Sequence, residues 1–449
     1  MVITLEDGLY ELCEKRILAD KEFLQCRKYK KPINMTNKLF QEYRLFQLKR
    51  TLRWVYKHSR FYNKQFDKEK VSIKDIQTMK DLTKLPFTYP KDLSDTNYDF
   101  LCTSQSIVEK PVTFYSSGTT GMKKRIYFSN QDVLRIMEFI SRAMNALADN
   151  EDTCILSLMQ NSQGRGASAM FCKSVEMVGM SSFSADMEAS SEENIRLSIE
   201  HDCNVWFGDI MSIYRIAKEM ETKIALKKLG LKLIYVTMGN ISRYVVKYLE
   251  KTFGCLVKTH YGLTEAGWGF AIDCNHCPGY HYNELDVIVE IIDPKTGEQM
   301  ADGEDGEITI TVIGRESMPL IRYRTGDISA FIPNDSECNQ NLRTLKHIVR
   351  RLEGCYKVDE KNLIYPAMLE DILYQFPETV DYRPYIREGR LFIKVESTVN
   401  SIELKNEIED GLWRHNTIHK MKFRPKVELL PIGALKKYCY EKKRMQITE

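Results

Sequence analysis

The chain has 449 residues, 43% of them hydrophobic, and a formal net charge of +3. That length builds more than one core unit, and so even a charge balance gives no overall field to draw in nucleic acid or an acidic membrane. Twelve scattered cysteines form no regular framework, and no run of about 18 apolar residues offers a bilayer span. The opening Met-Val-Ile-Thr-Leu-Glu-Asp carries acids where a signal peptide carries cations. A cytoplasmic setting with reduced thiols is therefore expected, with no nucleic-acid and no membrane partner.

Residues 1–95 read as mainly helical. Phe40, Tyr43, Leu45, Leu48, Leu52, Val55 and Tyr56 recur at helix spacing, and Pro86 and Pro90 close the segment. Next comes Phe114 to Phe128, two apolar alternations (Val112 and Phe114, then Ile126 and Phe128) around a polar loop. Gly118 and Gly121 let backbone N–H groups turn toward one point, and Ser116, Ser117, Thr119 and Thr120 add hydroxyls. Lys123, Lys124 and Arg125 add positive charge, so the loop has the makings of an anion cradle. It is not a Walker A loop, because no Gly-Lys-Ser/Thr closes it. On turn chemistry alone a polar hairpin turn explains it equally well.

An amphipathic helix is expected over Asn130 to Ala148, with Val133, Ile136, Met137, Ile140 and Met144 on one face. The strand Cys154-Ile-Leu-Ser-Leu-Met leads through a glycine-broken turn to a helix over Met170 to Val178. Val205-Trp-Phe-Gly precedes a helix over Ile210 to Met220, and Leu231 to Thr237 precedes one over Arg243 to Phe253. Strands alternating with helices predict an α/β fold with a parallel sheet, whose sites collect beyond the strands' carboxyl ends. From Leu256 onward, short alternating strands predict an antiparallel β portion. The last hundred residues read as a small α+β unit: a hairpin at Glu388-Gly389, a helix over Ser401 to Trp413 and a strand over Lys426 to Leu430. The organisation expected is a large unit, 1–350 (helical 1–95, α/β 96–255, β-rich 256–350), and a small mobile unit, 351–449. From Lys420 to Arg444 nine residues are basic and two acidic, a run that reads as a solvated tail or a polyanion contact.

Three further clusters bear on the loop. In Tyr261-Gly262-Leu263-Thr264-Glu265 an aromatic ring could stack on a flat base, and a carboxylate is a hard ligand for Mg²⁺. In Arg322-Tyr-Arg324-Thr-Gly-Asp327, an aspartate at a glycine turn can accept both hydroxyls of a ribose, unless the arginines simply pair with acids nearby. Lys436, on the small unit, could reach charge developing on phosphate.

In this order, over nearly the whole chain, the clusters resemble the adenylate-forming acyl-CoA ligase superfamily, nearest the phenylacetate-CoA ligase branch with its capsule-biosynthesis and coenzyme F390 synthetase relatives. Leu85-Pro-Phe-Thr, Ser116 to Gly121, Tyr261 to Glu265, Ile321 to Asp327 and Asn362-Leu-Ile-Tyr-Pro366 with Glu370 carry the likeness. The resemblance implies a two-step reaction: a small organic acid attacks ATP to give an acyl-adenylate and pyrophosphate, then a thiol displaces AMP. It implies Lys436, Glu265 and Thr264 as the catalytic set. Ser116, Ser117, Gly118, Thr119, Thr120, Gly121, Lys124, Gly239, Asn240, Tyr261, Gly262, Arg322 and Asp327 are implied to hold nucleotide, and Glu265 to hold Mg²⁺. The acceptor is coenzyme A or the phosphopantetheine of an acyl carrier protein; a homodimer is left open.

Four departures stand out. Met122 replaces the family's loop lysine, Met238-Gly239-Asn240 replaces Gly-Gly-Glu, and the hinge Arg350-Arg351-Leu-Glu-Gly354 lacks the usual pattern. Asp209 in Phe207-Gly208-Asp209, with Arg165, points to a polar acyl pocket. Separately, Cys274, Cys277 and His281 have zinc-like spacing, and the likeness suggests Cys338 as a fourth ligand of a structural Zn²⁺; reduced loop cysteines are the alternative. Rival readings are transfer to an amine or hydroxyl, and a nucleotide-binding module without turnover.

Overall fold

The computed structural model describes residues 4–27, 34–115, 123–148, 152–159, 166–186, 189–237, 242–333, 338 and 340–435. Five helices fill most of the first hundred residues: α1 (Leu5–Ala19), α2 (Lys21–Arg27), α3 (Asn37–His58), α4 (Arg60–Lys68) and α5 (Pro90–Asp95). Their starts follow from local chemistry. Thr4 and Asp7 close a capping box on α1, and Pro90 supplies a preset φ at the first position of α5.

The loop expected as an anion cradle joins β1 (Val108–Tyr115) to β2 (Lys123–Ser129), an antiparallel pair in which Phe114 faces Lys124. Ser129 ends β2 and caps α6 (Asn130–Leu147) with Asp132. Then β3 (Cys154–Ser157), α7 (Ala167–Glu176), β4 (Ser181–Ser184), α8 (Ser191–Glu200), β5 (Val205–Asp209), α9 (Ile210–Met220), β6 (Leu233–Thr237), α10 (Arg243–Phe253) and β7 (Leu256–Leu263) alternate. All pairings among β3 to β7 are parallel, as the strand–helix alternation predicts. β4 and α8 are additions to that expectation. Ser181-Ser-Phe-Ser has no apolar alternation to announce a strand, and it sits at the sheet edge, where polar residues are tolerated.

Past β7 come β8 (Trp268–Asp273), β9 (Tyr280–Tyr282), β10 (Val287–Ile292), β11 (Gly306–Val312), β12 (Tyr323–Ser329), β13 (Phe331–Ile332), β14 (Thr344–Leu345) and β15 (Arg350–Arg351). The expectation of one antiparallel portion starting at Leu256 is corrected in two ways. β7 pairs with β6 in parallel and belongs to the α/β sheet. β8, β9, β14 and β13 then extend that same sheet to nine strands, while β10-β11-β12-β15 form a separate antiparallel sheet. β7 can turn into β8 this closely because of Gly262: a Cβ there would lie 1.9 Å from the Trp268 carbonyl oxygen.

The C-terminal part holds β16 (Tyr356–Lys357), β17 (Leu363–Ile364), α11 (Pro366–Leu373), β18 (Thr379–Arg387), β19 (Arg390–Ser397), α12 (Ile402–Arg414), α13 (Asn416–His419) and β20 (Lys426–Leu430). β18 and β19 form the expected hairpin, and β20 adds to β19 in parallel. Leu369, Leu373, Tyr382, Leu391 and Ile408 share one apolar cluster with Trp206, Ile213, Tyr214 and Ile234, so this part is docked on α9 and the large sheet. Among the described residues no helix is long and apolar enough to cross a membrane.

Candidate active site

β12 carries the centre of the site, and its pairing with β11 shifts register across Thr325 to Asp327, with Gly326 in the left-handed region. Asp327 and Tyr323 are buried, 3% and 1% exposed, and both point to the end of β7. The Tyr261 hydroxyl donates to Asp327 Oδ2 at 2.8 Å. From the neighbouring strand β15, Arg351 Nε donates to Asp327 Oδ1 at 2.6 Å. Asp327 in turn holds Arg351 firmly protonated.

Glu265 sits on the short turn that follows β7, and the Tyr323 hydroxyl donates to its Oε1 at 2.7 Å. Lys124 Nζ on β2 lies 3.4 Å from the same hydroxyl. Burial pulls the Lys124 ammonium below its usual range, with the Glu265 and Glu353 carboxylates opposing that shift. Behind the turn, Arg315 donates to the Glu265 carbonyl oxygen at 2.7 Å. Its own burial pushes it down to about 10. Burial, reinforced by Asp327 and Glu265 respectively, keeps Tyr261 and Tyr323 neutral donors.

Glu265 and Asp327, nominated by two separate motifs, thus anchor two neighbouring hydrogen-bonded sets, Glu265–Tyr323–Lys124 and Asp327–Tyr261–Arg351. Ser116, Ser117, Gly118, Thr119, Thr120, Gly121, Arg165, Gly239, Asn240 and Lys436 lie outside the described residues. Thr264 opens the turn that carries Glu265. The ring of Tyr261 packs on Phe270 and Tyr280 and is 7% exposed, so its hydroxyl rather than a bare face serves the cluster. Gly262 answers the close strand approach described above.

Arg322 is a correction. Its guanidinium makes a two-pronged pair with Glu290 at 3.0 Å, donates to the Leu85 carbonyl at 2.7 Å and lies 4.0 Å from the Phe87 ring centroid. That set ties the start of β12 to the Leu85-Pro-Phe segment and commits the Arg322 guanidinium to partners within the protein. Asp209, expected in an acyl pocket, caps α9 by accepting from the Ser212 N–H at 2.8 Å. The sequence reading gives no site role to two members of these sets, Tyr323 inside the Arg322 to Asp327 motif and Arg351 in the 350–354 hinge.

Cys274, Cys277, His281 and Cys338 also converge, with their ligand atoms within 4.8 Å of one another. Cys274 Sγ and Cys338 Sγ are 3.6 Å apart, and His281 Nε2 is 3.1 Å from Cys338 Sγ. His281 Nδ1 lies 3.3 Å from the Arg343 carbonyl oxygen.

The model of a family described as AMP-binding enzyme matches residues 89–315, half of the chain. The chain belongs to the AMP-binding enzyme family. It is 25% identical over 374 residues to a phenylacetate-coenzyme A ligase of Thermus thermophilus, covering 82% of this chain and 81% of that one. An Aromatoleum evansii enzyme of the same name is 27% identical over 383 residues, covering 83% and 82%. Among solved structures, 2-hydroxyisobutyryl-CoA ligase in its postadenylation state superposes with a TM-score of 0.77 at 16% identity, covering 90% of this chain and 91% of that one. These relatives place the chain in the adenylate-forming, phenylacetate-CoA ligase-like branch of the family, with the α/β architecture that the motifs implied.

Proposed function

We propose that this chain activates an organic acid, aryl or acyl, as its adenylate and passes the acyl group to a thiol. The observation that carries the reading is the Glu265–Tyr323–Lys124 and Asp327–Tyr261–Arg351 cluster at the end of β7. Asp327 has lone pairs left beside its two partners for ribose hydroxyls, since a carboxylate accepts about four hydrogen bonds. Lys124 stands where it can face phosphate, in place of the cation that Met122 displaces. The acid's oxygen attacks the α-phosphorus as pyrophosphate leaves; the thiol sulfur then attacks the acyl carbon as AMP leaves. Lys436 is assigned to the first step, where charge on the transferring phosphoryl group must be neutralised.

Mg²⁺ suits the donor set, since that ion takes one or two carboxylates and completes its shell with water and phosphate. Glu265 would hold it, and bound there it would neutralise phosphate charge. The acceptor is coenzyme A or carrier-protein phosphopantetheine, and the cellular setting is cytoplasmic. Residues 1–350 and 351–449 serve as the large and small units, which reorient about 350–354 between steps.

A structural zinc site is supported separately. Zn–S bonds of about 2.3 Å set neighbouring sulfurs roughly 3.8 Å apart around a tetrahedral ion, close to the Cys274–Cys338 spacing of 3.6 Å. Donation from His281 Nδ1 to the Arg343 carbonyl would leave Nε2 as the ligand atom.

The test is pyrophosphate release from ATP with a panel of aryl and acyl acids, followed by coenzyme A or a holo carrier protein. Acid-dependent release and thiol-dependent AMP formation support the reading. ATP binding without release with any acid favours a nucleotide-binding module; release with transfer only to an amine or hydroxyl favours the other rival.

A further inference from the structure

Asp381 on β18 and Glu396 on β19 are direct partners across the two strands, and both are buried, 2% and 0% exposed. Facing carboxylates out of water repel each other. A cation that offsets them comes from the large unit. Arg215 on α9, 5% exposed, bonds Glu396 Oε1 through one terminal nitrogen. Its other terminal nitrogen reaches Asp381 Oδ2 at 3.1 Å and Glu396 Oε2 at 3.4 Å.

Glu396 has a second task. Its two oxygens accept the Gly433 N–H at 2.7 Å and the Leu435 N–H at 2.9 Å. Lys436 is the next residue. One carboxylate therefore joins a large-unit helix to the main chain that leads into Lys436. Beside it, the Tyr214 hydroxyl donates to the Thr379 carbonyl at 2.9 Å, and the Tyr214 and Tyr374 rings meet edge to face.

A dry ion cluster is a poor source of stability, because apolar side chains of similar volume often do as well. Its directional bonds fix an orientation, and the orientation fixed here is that of residues 433–435. We propose that Arg215 is a positioning residue for acid activation: through Glu396 it latches the small unit onto α9 and holds residues 433–435, the main chain that precedes Lys436 in sequence. The proposal rests on the function proposed above. In that function the small unit reorients before thiol transfer, so the latch serves the first step and the two half-reactions respond differently to its loss.

The test compares the full-length wild-type chain with Arg215→Met, Arg215→Lys and the charge-balanced pair Arg215→Met with Glu396→Gln. Hydrogen exchange at Gly433 and Leu435 should quicken on the order of tenfold in Arg215→Met, while the amides of β18 and β19 stay protected. kcat for pyrophosphate release should fall about 10- to 100-fold with KM for ATP unchanged, as expected for a misplaced group. Thioester formation from supplied acyl-adenylate should stay within about twofold, and Arg215→Lys should recover part of the first step. If Arg215→Met does not fold, the double variant carries the same comparison. Unchanged exchange at the two amides, or equal losses in both half-reactions, would overturn the proposal. A wild-type chain that releases no pyrophosphate with any acid refutes the proposed function instead, and the exchange comparison still decides whether Arg215 holds the turn.

Discussion

Arg351 Nε donates to Asp327 Oδ1 at 2.6 Å across β12 and β15, joining the residue assigned to ribose to the segment where the small unit begins. The arginine is 41% exposed on its side chain, so the pair itself adds little stability. Its value is to hold the carboxylate in place. Asp327→Ala should weaken ATP binding by about 1.5–3 kcal/mol, roughly 10- to 100-fold, as expected for losing hydrogen bonds to a charged group. Calorimetric titration with ATP checks this, and an unaltered affinity removes Asp327 from the ribose.

Tyr323 is the hinge pin of the other half of the cluster, between Lys124 and Glu265. Tyr323→Phe keeps the ring and deletes the hydroxyl. Pyrophosphate release should slow about tenfold, the worth of roughly one hydrogen bond to a charged group, with ATP affinity nearly unchanged. An equal loss of ATP affinity would show that the hydroxyl serves binding alone.

Lys436→Ala should slow adenylate formation far more than it weakens ATP binding, because an interaction made only in the transition state changes kcat and leaves ground-state affinity alone. Single-turnover formation of the adenylate separates the two. An unchanged rate takes Lys436 out of the first step.

The Cys274, Cys277, His281 and Cys338 set should carry zinc at about one ion per chain, as a closed four-ligand site does. Metal content by mass spectrometry is the readout, with thermal unfolding alongside. Cys274→Ser or Cys338→Ser should lose the ion and lower the unfolding temperature; metal-free wild-type protein with the same unfolding temperature would leave only reduced thiols.

His260 gives a pH dependence whose sign is fixed. Burial depresses its folded value to about 4 from 6.5, with Asp273 opposing the shift. The unfolded chain therefore takes up the proton first, and stability present above pH 6.5 is lost as pH falls toward 4. Its ring stacks beside Phe207 and lies tilted against Tyr235, so His260→Phe should keep the packing and lose the titration. Between pH 7.5 and 5 the unfolding temperature of wild type should drop further than that of His260→Phe; equal drops would show that His260 does not titrate this way.

Much of this was legible because regular chemistry leaves regular spacing. The apolar faces of α3 and α6, the strand–helix alternation from β3 to β7, and the β18–β19 turn at Glu388-Gly389 all announce themselves. β4 did not, because an edge strand of serines lacks an apolar stripe. The partition of the β strands into two sheets did not either, since pairing between distant strands has no local signature. Within the site, Glu265 and Asp327 sat in motifs with recognisable chemistry. Arg322 sat in the same motif and turned to Glu290, because the choice between a ligand and an intramolecular acid depends on which way the strand faces. Arg215 gave no hint at all: its partners, Asp381 and Glu396, lie more than 160 residues away in the sequence.

A crystal structure of the full-length chain with a non-hydrolysable acyl-adenylate analogue puts the active-site assignment to proof. The expected result is a ribose whose hydroxyls reach Asp327, with the acyl-phosphate mimic between Glu265 and Lys124. An analogue bound elsewhere, with the Asp327 and Glu265 carboxylates facing no common ligand, would contradict it.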